Sequence, residues 1–436
     1  MNVSSESKTR ATKAAWIIFA AALVVRLALA FWLPQEVIWP DGKRYEKVAL
    51  SLIHGEGFGD LVQNRLSVPT QPLLIAGVYS VFGEKNYLAL RVVSAVIGAV
   101  SVLLGFLLTR SLFGTVAAIC AGVMLAGYPY LVYLSALFEY PQPLFILLMA
   151  GFFLLHQRFL ISRSLLTLFC ACLCLGIGVL TVPTALLFVP ILGLLLLTRR
   201  PLESALRIGV LAAALLLTVG SWATRNYVAY GQMVLINAAS GWNFWVANNE
   251  TYARYGKEGV VPPCAPGYER TDYCRDYRTL NASVRAKGLE GVERVREEER
   301  LAWEYGLDYL HDHPQEFAVL AVQKFLRLWS PVPDAVTKGR AQGGSARDAI
   351  GAATYIPLLL FGLAGMVLAA KEHWRKLLPM YAFILIFVAP FAIFLPTTRY
   401  RLPIDFLFAV FASYALLRAW AFSFRWRTRD KLLQVA

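Results

Sequence analysis

Residues 15–33 read AWIIFAAALVVRLALAFWL, and residues 39–60 read WPDGKRYEKVALSLIHGEGFGD. The first stretch carries a single charge, Arg26, and is close to the roughly 20 apolar residues that an α-helix needs to cross a bilayer. The second is polar, but Tyr45, Val48, Ala49 and Leu52 fall at i, i+3, i+4 and i+7. That spacing predicts an amphipathic helix from about Gly42 to His54, closed by Gly55. It is too short to span and is expected to lie in the interface plane. A crossing helix followed at once by an interfacial one places the chain in the membrane.

The rest of the sequence extends this reading. Hydrophobic residues make up 58% of the chain and charged residues 16%, with a mean hydropathy of +0.54; a soluble domain carries about a quarter charged residues. Backbone groups must pair internally in hydrocarbon, so the spans should be helices. Candidate spans of near the required length centre on 15–33, 88–109, 115–133, 138–156, 164–181, 183–198, 206–224, 350–370, 377–396 and 402–421. The expected class is therefore an all-α polytopic membrane protein with about ten transmembrane helices.

Charge predicts the orientation, because cytoplasmic loops carry excess Lys and Arg. The connections that would share one side hold Lys8, Arg10 and Lys13, then Arg110, Arg158, Arg163, Arg199, Arg200, Arg207, Lys371, Arg375, Lys376 and the Arg418 to Lys431 tail. That side reads as cytoplasmic, with both termini on it, in a cytoplasmic membrane. The net charge of +14 is then mostly this signal and does not point to nucleic acid. Opposite lie a first outer loop, 34–86, and a large one, 225–348, in which acids and bases balance. The chain thus divides into 1–224, the 225–348 loop and 349–436.

A second short apolar segment, 72–83, adds another interfacial helix to the first outer loop. In the large loop, Val292, Val295, Leu301, Tyr305 and Tyr309 have helical spacing, Pro314 interrupts it, and Phe317, Leu320, Ala321, Lys324 and Phe325 resume it. A mostly helical outer-face cap is expected, with the Glu297 to Glu299 run as a solvated face. An N-terminal signal peptide is disfavoured, because Arg26 interrupts the run just before Ala28-Leu29-Ala30. Cys120, Cys170, Cys172 and Cys174 sit in apolar segments, whereas Cys264 and Cys274 lie in the outer loop, where an oxidising compartment favours a disulfide.

Several short motifs, weak singly, occur in a telling order: Asp41 followed by Arg44-Tyr45, Gln71-Pro72-Leu73, Thr224-Arg225-Asn226-Tyr227, Gly241-Trp242-Asn243-Phe244-Trp245, Asn248-Asn249, His313-Pro314, Lys324-Phe325, Trp329-Ser330-Pro331 and Arg399-Tyr400-Arg401-Leu402-Pro403. Across nearly the whole chain this order resembles the GT-C superfamily of polyprenyl-phosphate-sugar-dependent glycosyltransferases, in the branch of protein O-mannosyltransferases and lipid A aminoarabinose transferases. Two positions depart from that branch, which often has an acid pair where this chain has Asp41-Gly42 and a Lys where it has Gln71.

The resemblance implies an inverting transfer of sugar from a polyprenyl-phosphate donor to an acceptor hydroxyl of a glycan, lipid or protein, at the outer face. A carboxylate within hydrogen-bond reach would take the hydroxyl proton, and Asp41 is the candidate base; the structural alternative is that Asp41 only caps its helix. A departing phosphate needs fixed positive charge, for which Arg225, Lys324, Arg399 and Arg401 are candidates. Arg44, Tyr45, Glu139, Asn226, Trp242, Asn243 and Asn248 are candidate substrate contacts. Arg26 and Glu139 stand within or beside apolar helices and should face protein or a wet cavity; for Arg26 a structural partner is expected.

Other signals stay weak. Gly55 to Gly59 follows a helix and not a strand, so it is no nucleotide fingerprint. His311-Asp312-His313 lacks further metal ligands, and the sequons at Asn249 and Asn281 are frequent by chance. No cofactor is called for, although a divalent metal stays open. The rival readings are a transporter or flippase of an anionic polyprenyl lipid, and a non-catalytic outer-face binding or scaffold protein. Transporters commonly carry repeated halves and midplane sites, whereas here the polar residues gather in the loops.

Overall fold

The computed structural model describes residues 3–65, 67–255, 264, 270–332 and 345–433, and every regular element among them is helical. α1 (Val3–Trp32) leads into the short helices α2 (Pro40–Ile53), α3 (Leu61–Asn64) and α4 (Thr70–Phe82). Then come α5 (Tyr87–Phe113), α6 (Thr115–Gly127), α7 (Pro129–Ala136), α8 (Gln142–Ser162), α9 (Leu165–Thr181) and α10 (Phe188–Leu195). α11 (Pro201–Leu215) continues through one π turn into α12 (Ser221–Tyr230). Five helices form the large loop: α13 (Ser240–Ala247), α14 (Glu250–Tyr255), α15 (Asp272–Ala286), α16 (Gly291–Asp312) and α17 (Pro314–Leu328). α18 (Ser345–Val388) and α19 (Leu402–Leu433) follow.

Among the described residues, six helices are long and apolar enough to cross a membrane, or seven if α6 and α7, bent by 56° at their junction, make one span. About ten were expected. Part of the difference lies in α18, where two expected spans fall in one helical run. Its chain nevertheless reverses: the Tyr381 hydroxyl donates to the Met366 carbonyl at 2.8 Å, whereas fifteen residues of straight helix would separate them by about 22 Å. The first arm then lies alongside α19, with Tyr355 against Arg401 and Gly365 against the backbone of Phe411. A Cβ on Gly365 would fall 1.9 Å from the Phe411 carbonyl oxygen, so only glycine allows this approach. α9 and the run 183–195 are shorter than the other spans.

Arg26 has the structural partner that its depth requires. Pro129 lacks an N–H, so the carbonyl of Leu125, four residues earlier, loses its helical donor. Arg26 Nη2 donates to that carbonyl at 3.2 Å, Nη1 to Ala126 O at 3.3 Å and Nε to Ser135 Oγ at 2.8 Å. The buried guanidinium therefore satisfies the break between α6 and α7. Arg26→Met should lower stability by about 1–3 kcal/mol, the cost of orphaned buried acceptors. Thermal unfolding in detergent would read this as a lower midpoint.

α2 forms where its apolar spacing places it, with Pro40 at the first helical position, where its fixed φ suits the turn. It buries Tyr45, Val48 and Ala49, and packs with α4 against the end of α5 through Ile75, Tyr79, Leu90 and Phe138. The cap breaks at Pro314 as expected, between α16 and α17. The acidic run is not simply a solvated face. Glu297 pairs with Lys287 and Arg300, but buried Glu298 binds Arg65 of the first loop at 2.6 Å, and Glu299 accepts the backbone N–H groups of Gly241 and Trp242 at the start of α13. Cys264 and Cys274 are joined by a disulfide.

Candidate active site

Asp41 lies in the first turn of α2, one position after Pro40, but it does not cap the helix: Trp39 is the N-cap and no side chain serves there. The Asp41 carboxylate is instead held by two arginines, accepting from Arg44 Nη2 at 2.9 Å and from Arg399 Nη1 at 2.8 Å. Arg44 is one turn along the same helix. Arg399 arrives from the far end of the chain, in the 3-10 turn Thr398–Arg401 ahead of α19. Its guanidinium lies 4.5 Å from the Tyr140 ring centroid and 5.1 Å from that of Tyr400. Burial would raise the Asp41 pKa, but the charges and hydrogen bonds of Arg399 and Arg44 outweigh it and hold the carboxyl below its usual range.

Glu139 stands beside this group. It is fully buried and accepts the backbone N–H groups of Ile38 at 3.1 Å and Trp39 at 2.5 Å. A Cβ on Gly42 would lie 2.8 Å from Glu139 Oε2 and Cγ. The glycine after Asp41 thus leaves room for a carboxylate that comes from another loop. Residues 134–143 are all buried, an unusual setting for a connection. Two of its carbonyls are satisfied by side chains: Gln71 Nε2 donates to Phe138 O, and Ser94 Oγ donates to Leu137 O at 2.8 Å. Gln71 is therefore an anchor of the segment that carries Glu139.

Burial raises the Glu139 pKa to about 7, against the two backbone N–H groups and the nearby charge of Arg91. The folded chain then holds a proton that the unfolded chain releases between the usual carboxyl value and about 7. Stability from this group should fall as pH rises through that window. Glu139→Gln should remove that slope, so the variant's melting midpoint should gain on the wild type as pH rises from about 4.5 to about 7.

Arg91, which the sequence reading passed over, is wholly buried on α5 and donates from Nη2 to Glu36 O at 3.2 Å. It is a charge inside an apolar run, the criterion that had picked out Arg26. Tyr140, which stacks on Arg399, was also missed, although it directly follows the candidate Glu139.

Lys324 comes from α17 and is 1% exposed. Its ammonium donates to Asn248 Oδ1 at 2.6 Å and to the Ile393 carbonyl at 3.2 Å, and burial lowers its pKa to about 7. Asn248 in turn donates to Phe244 O and Ile393 O, tying the cap to the segment before α19. Arg225 is set among the rings of Phe58, Trp222 and Tyr230 at 5.0–5.4 Å and donates to Asn226. Buried Asn226 bonds Val234 O, and Trp242 packs with Arg65, Trp245 and Tyr277. Asn243 is exposed, and Tyr45 is buried beneath Arg44.

Arg401 is committed elsewhere. It donates to Asp405 and to the carbonyls of Leu328 and Ser330, with its plane 3.5 Å from the Tyr355 ring centroid. It fastens the end of α17 to α19. Two residues that look alike in sequence thus diverge: Arg399 meets Asp41 and Arg401 does not. His311 and Asp312 form an exposed pair, and among the described residues no three His, Cys, Asp or Glu side chains gather as a metal site.

Residues 67–222 match the family described as dolichyl-phosphate-mannose-protein mannosyltransferase. The fold is similar to that of the oligosaccharyltransferase of Archaeoglobus fulgidus in its apo form, with a TM-score of 0.55 and 16% identity over 96% of this chain and 52% of that one. Archaeal oligosaccharyltransferase AglB from the same organism, in complex with an inhibitory peptide and a dolichol-phosphate, gives a TM-score of 0.51 at 15% identity, with coverage of 96% and 52%. ArnT from Cupriavidus metallidurans bound to undecaprenyl phosphate scores 0.45 at 13% identity, covering 92% of this chain and 77% of that one. The chain spans about half the length of the archaeal structures. No curated protein matches it by sequence.

Proposed function

We propose that the protein is a membrane glycosyltransferase that moves a sugar from a polyprenyl-phosphate-linked donor to an acceptor hydroxyl, with inversion, at the outer face of the cytoplasmic membrane. The observation that carries this reading is the meeting of Asp41, Arg44 and Arg399, residues from opposite ends of the chain, at the face where the two large loops gather. The family match over residues 67–222 and the dolichol-phosphate in the AglB complex point to the same donor class. The positive-inside charge pattern supports the orientation.

In the reaction, the acceptor O–H gives its proton to Asp41 while its oxygen attacks the anomeric carbon. The bond from that carbon to the phosphate oxygen breaks, and the lipid phosphate leaves with the electron pair. Arg399 and Lys324 are the cations assigned to receive it: Arg399, like Arg44, retains a buried Nε without a hydrogen-bond partner, and Lys324 donates to an amide oxygen and a carbonyl. Asn248 holds Lys324 and Arg44 holds Asp41. Proton transfer thus falls to a carboxylate and charge stabilisation to fixed cations.

The test is reconstitution of the purified chain in vesicles with a polyprenyl-phosphate-linked sugar. Mass spectrometry should find the sugar on acceptor and free lipid phosphate released, with lipid-linked donor accumulating in cells that lack the protein. Transfer from a nucleotide sugar without the lipid donor would overturn the reading. Donor retained on the inner face would favour a flippase.

A further inference from the structure

The carboxylate assigned as base is held by two arginines in this structure, Oδ1 by Arg44 and Oδ2 by Arg399. The two arginines are held differently. Arg44 is bound to its place on the helix, one turn from Asp41. Arg399 is stacked on the faces of Tyr140 and Tyr400. Its Nε is buried without a hydrogen-bond partner, and its Nη2 reaches only the Tyr400 hydroxyl, at 3.4 Å. Such an edge matches the bidentate geometry of a phosphate. Nη1, the atom that holds Asp41, belongs to the same small planar group. Asp41 and a phosphate therefore draw on one cation.

We propose that the donor phosphate and Asp41 compete for Arg399, so that donor binding draws the guanidinium off Oδ2 and frees that oxygen to receive the acceptor proton. This inference rests on the transferase reading above. No covalent bond changes in the step; one ion pair replaces another. The base is masked until the donor is seated, which keeps water or acceptor from being activated at an empty site and places donor binding first. Glu139, held by the backbone of residues 38 and 39, stays in position while Arg399 moves.

Linkage makes this testable without turnover, because a group that competes with a ligand weakens it by the same factor that the ligand weakens the group. Binding of a short-chain prenyl monophosphate to the full-length purified chain would be measured by calorimetry, with the corresponding prenyl alcohol as blank. Asp41→Asn should bind about tenfold more tightly than wild type, within the usual range of couplings. Arg399→Ala should bind more weakly than wild type, and the double variant no more tightly than Arg399→Ala alone. If Arg399→Ala does not fold, Arg399→Gln takes its place in the cycle.

Equal affinity in wild type and Asp41→Asn would overturn the competition. So would a gain from Asp41→Asn that persists without Arg399, since that would reflect plain repulsion between carboxylate and phosphate. Saturable phosphate binding alongside either result would leave the transferase reading standing. No phosphate-dependent binding by any of the four proteins would remove the donor site itself.

Discussion

Asp41→Asn is expected to lower transfer from a lipid-phosphate donor by about 10²-fold or more, the usual scale for losing a general base, while the protein still folds and binds donor. The expectation follows from what the side chain touches. Asp41 caps nothing, so its amide analogue does not orphan the first turn of α2. Asparagine retains one carbonyl oxygen for Arg44 or Arg399 but cannot hold the acceptor proton. Single-turnover transfer in vesicles, beside thermal unfolding of both proteins, would separate lost chemistry from lost structure. Near-normal transfer would pass the role to Glu139 or Glu46. Glu46 accepts from the Tyr79 hydroxyl at 2.7 Å, and Glu139 from two backbone N–H groups, so each would have to give up an existing partner.

Lys324→Met should cost roughly 10²-fold in kcat/KM for the lipid-linked donor, the scale on which a fixed group aimed at developing charge acts, with a melting midpoint equal to or above wild type. The two halves of the expectation have one cause. A buried ammonium whose bonds above go only to Asn248 and a carbonyl is costly to keep charged, which is why its pKa falls to about 7. A group under that strain is held for what it binds, not for stability. The unfolded chain binds the Lys324 proton up to the ordinary lysine range and the folded chain only to about 7, so this group's contribution to stability rises with pH above about 7. Donor affinity should run the other way and weaken as pH rises through the same value. Methionine should abolish both slopes, which binding and unfolding across pH would reveal.

Part of this site was legible in the sequence. Asp41, Arg399 and Lys324 were singled out because residues of these types stood at loop boundaries in an order like that of a known superfamily. The rule that a charge at bilayer depth must have a partner anticipated that Arg26 has one, though not that the partners are the Leu125 carbonyl freed by Pro129, the Ala126 carbonyl and the Ser135 hydroxyl. The same rule applied to Arg91 would have found it. Gln71 looked like the loss of a charged residue. Its amide holds the carbonyl of Phe138, a contact between residues 67 positions apart that no local pattern encodes.

By itself the sequence determined the membrane class, the helical nature of every described element, the amphipathic α2 and the break of the cap at Pro314. These are decided over windows of one to two dozen residues, by hydrophobic length, by spacing on a helix and by the missing N–H of proline. Only the tertiary structure decided which cation meets Asp41. Arg399 and Arg401 are two residues apart in one short turn, and the direction each takes is set by how α2, α17 and α19 pack at that end of the bundle. A long-range ion pair has no period to read, because its geometry belongs to the packed helices and not to either segment that supplies it.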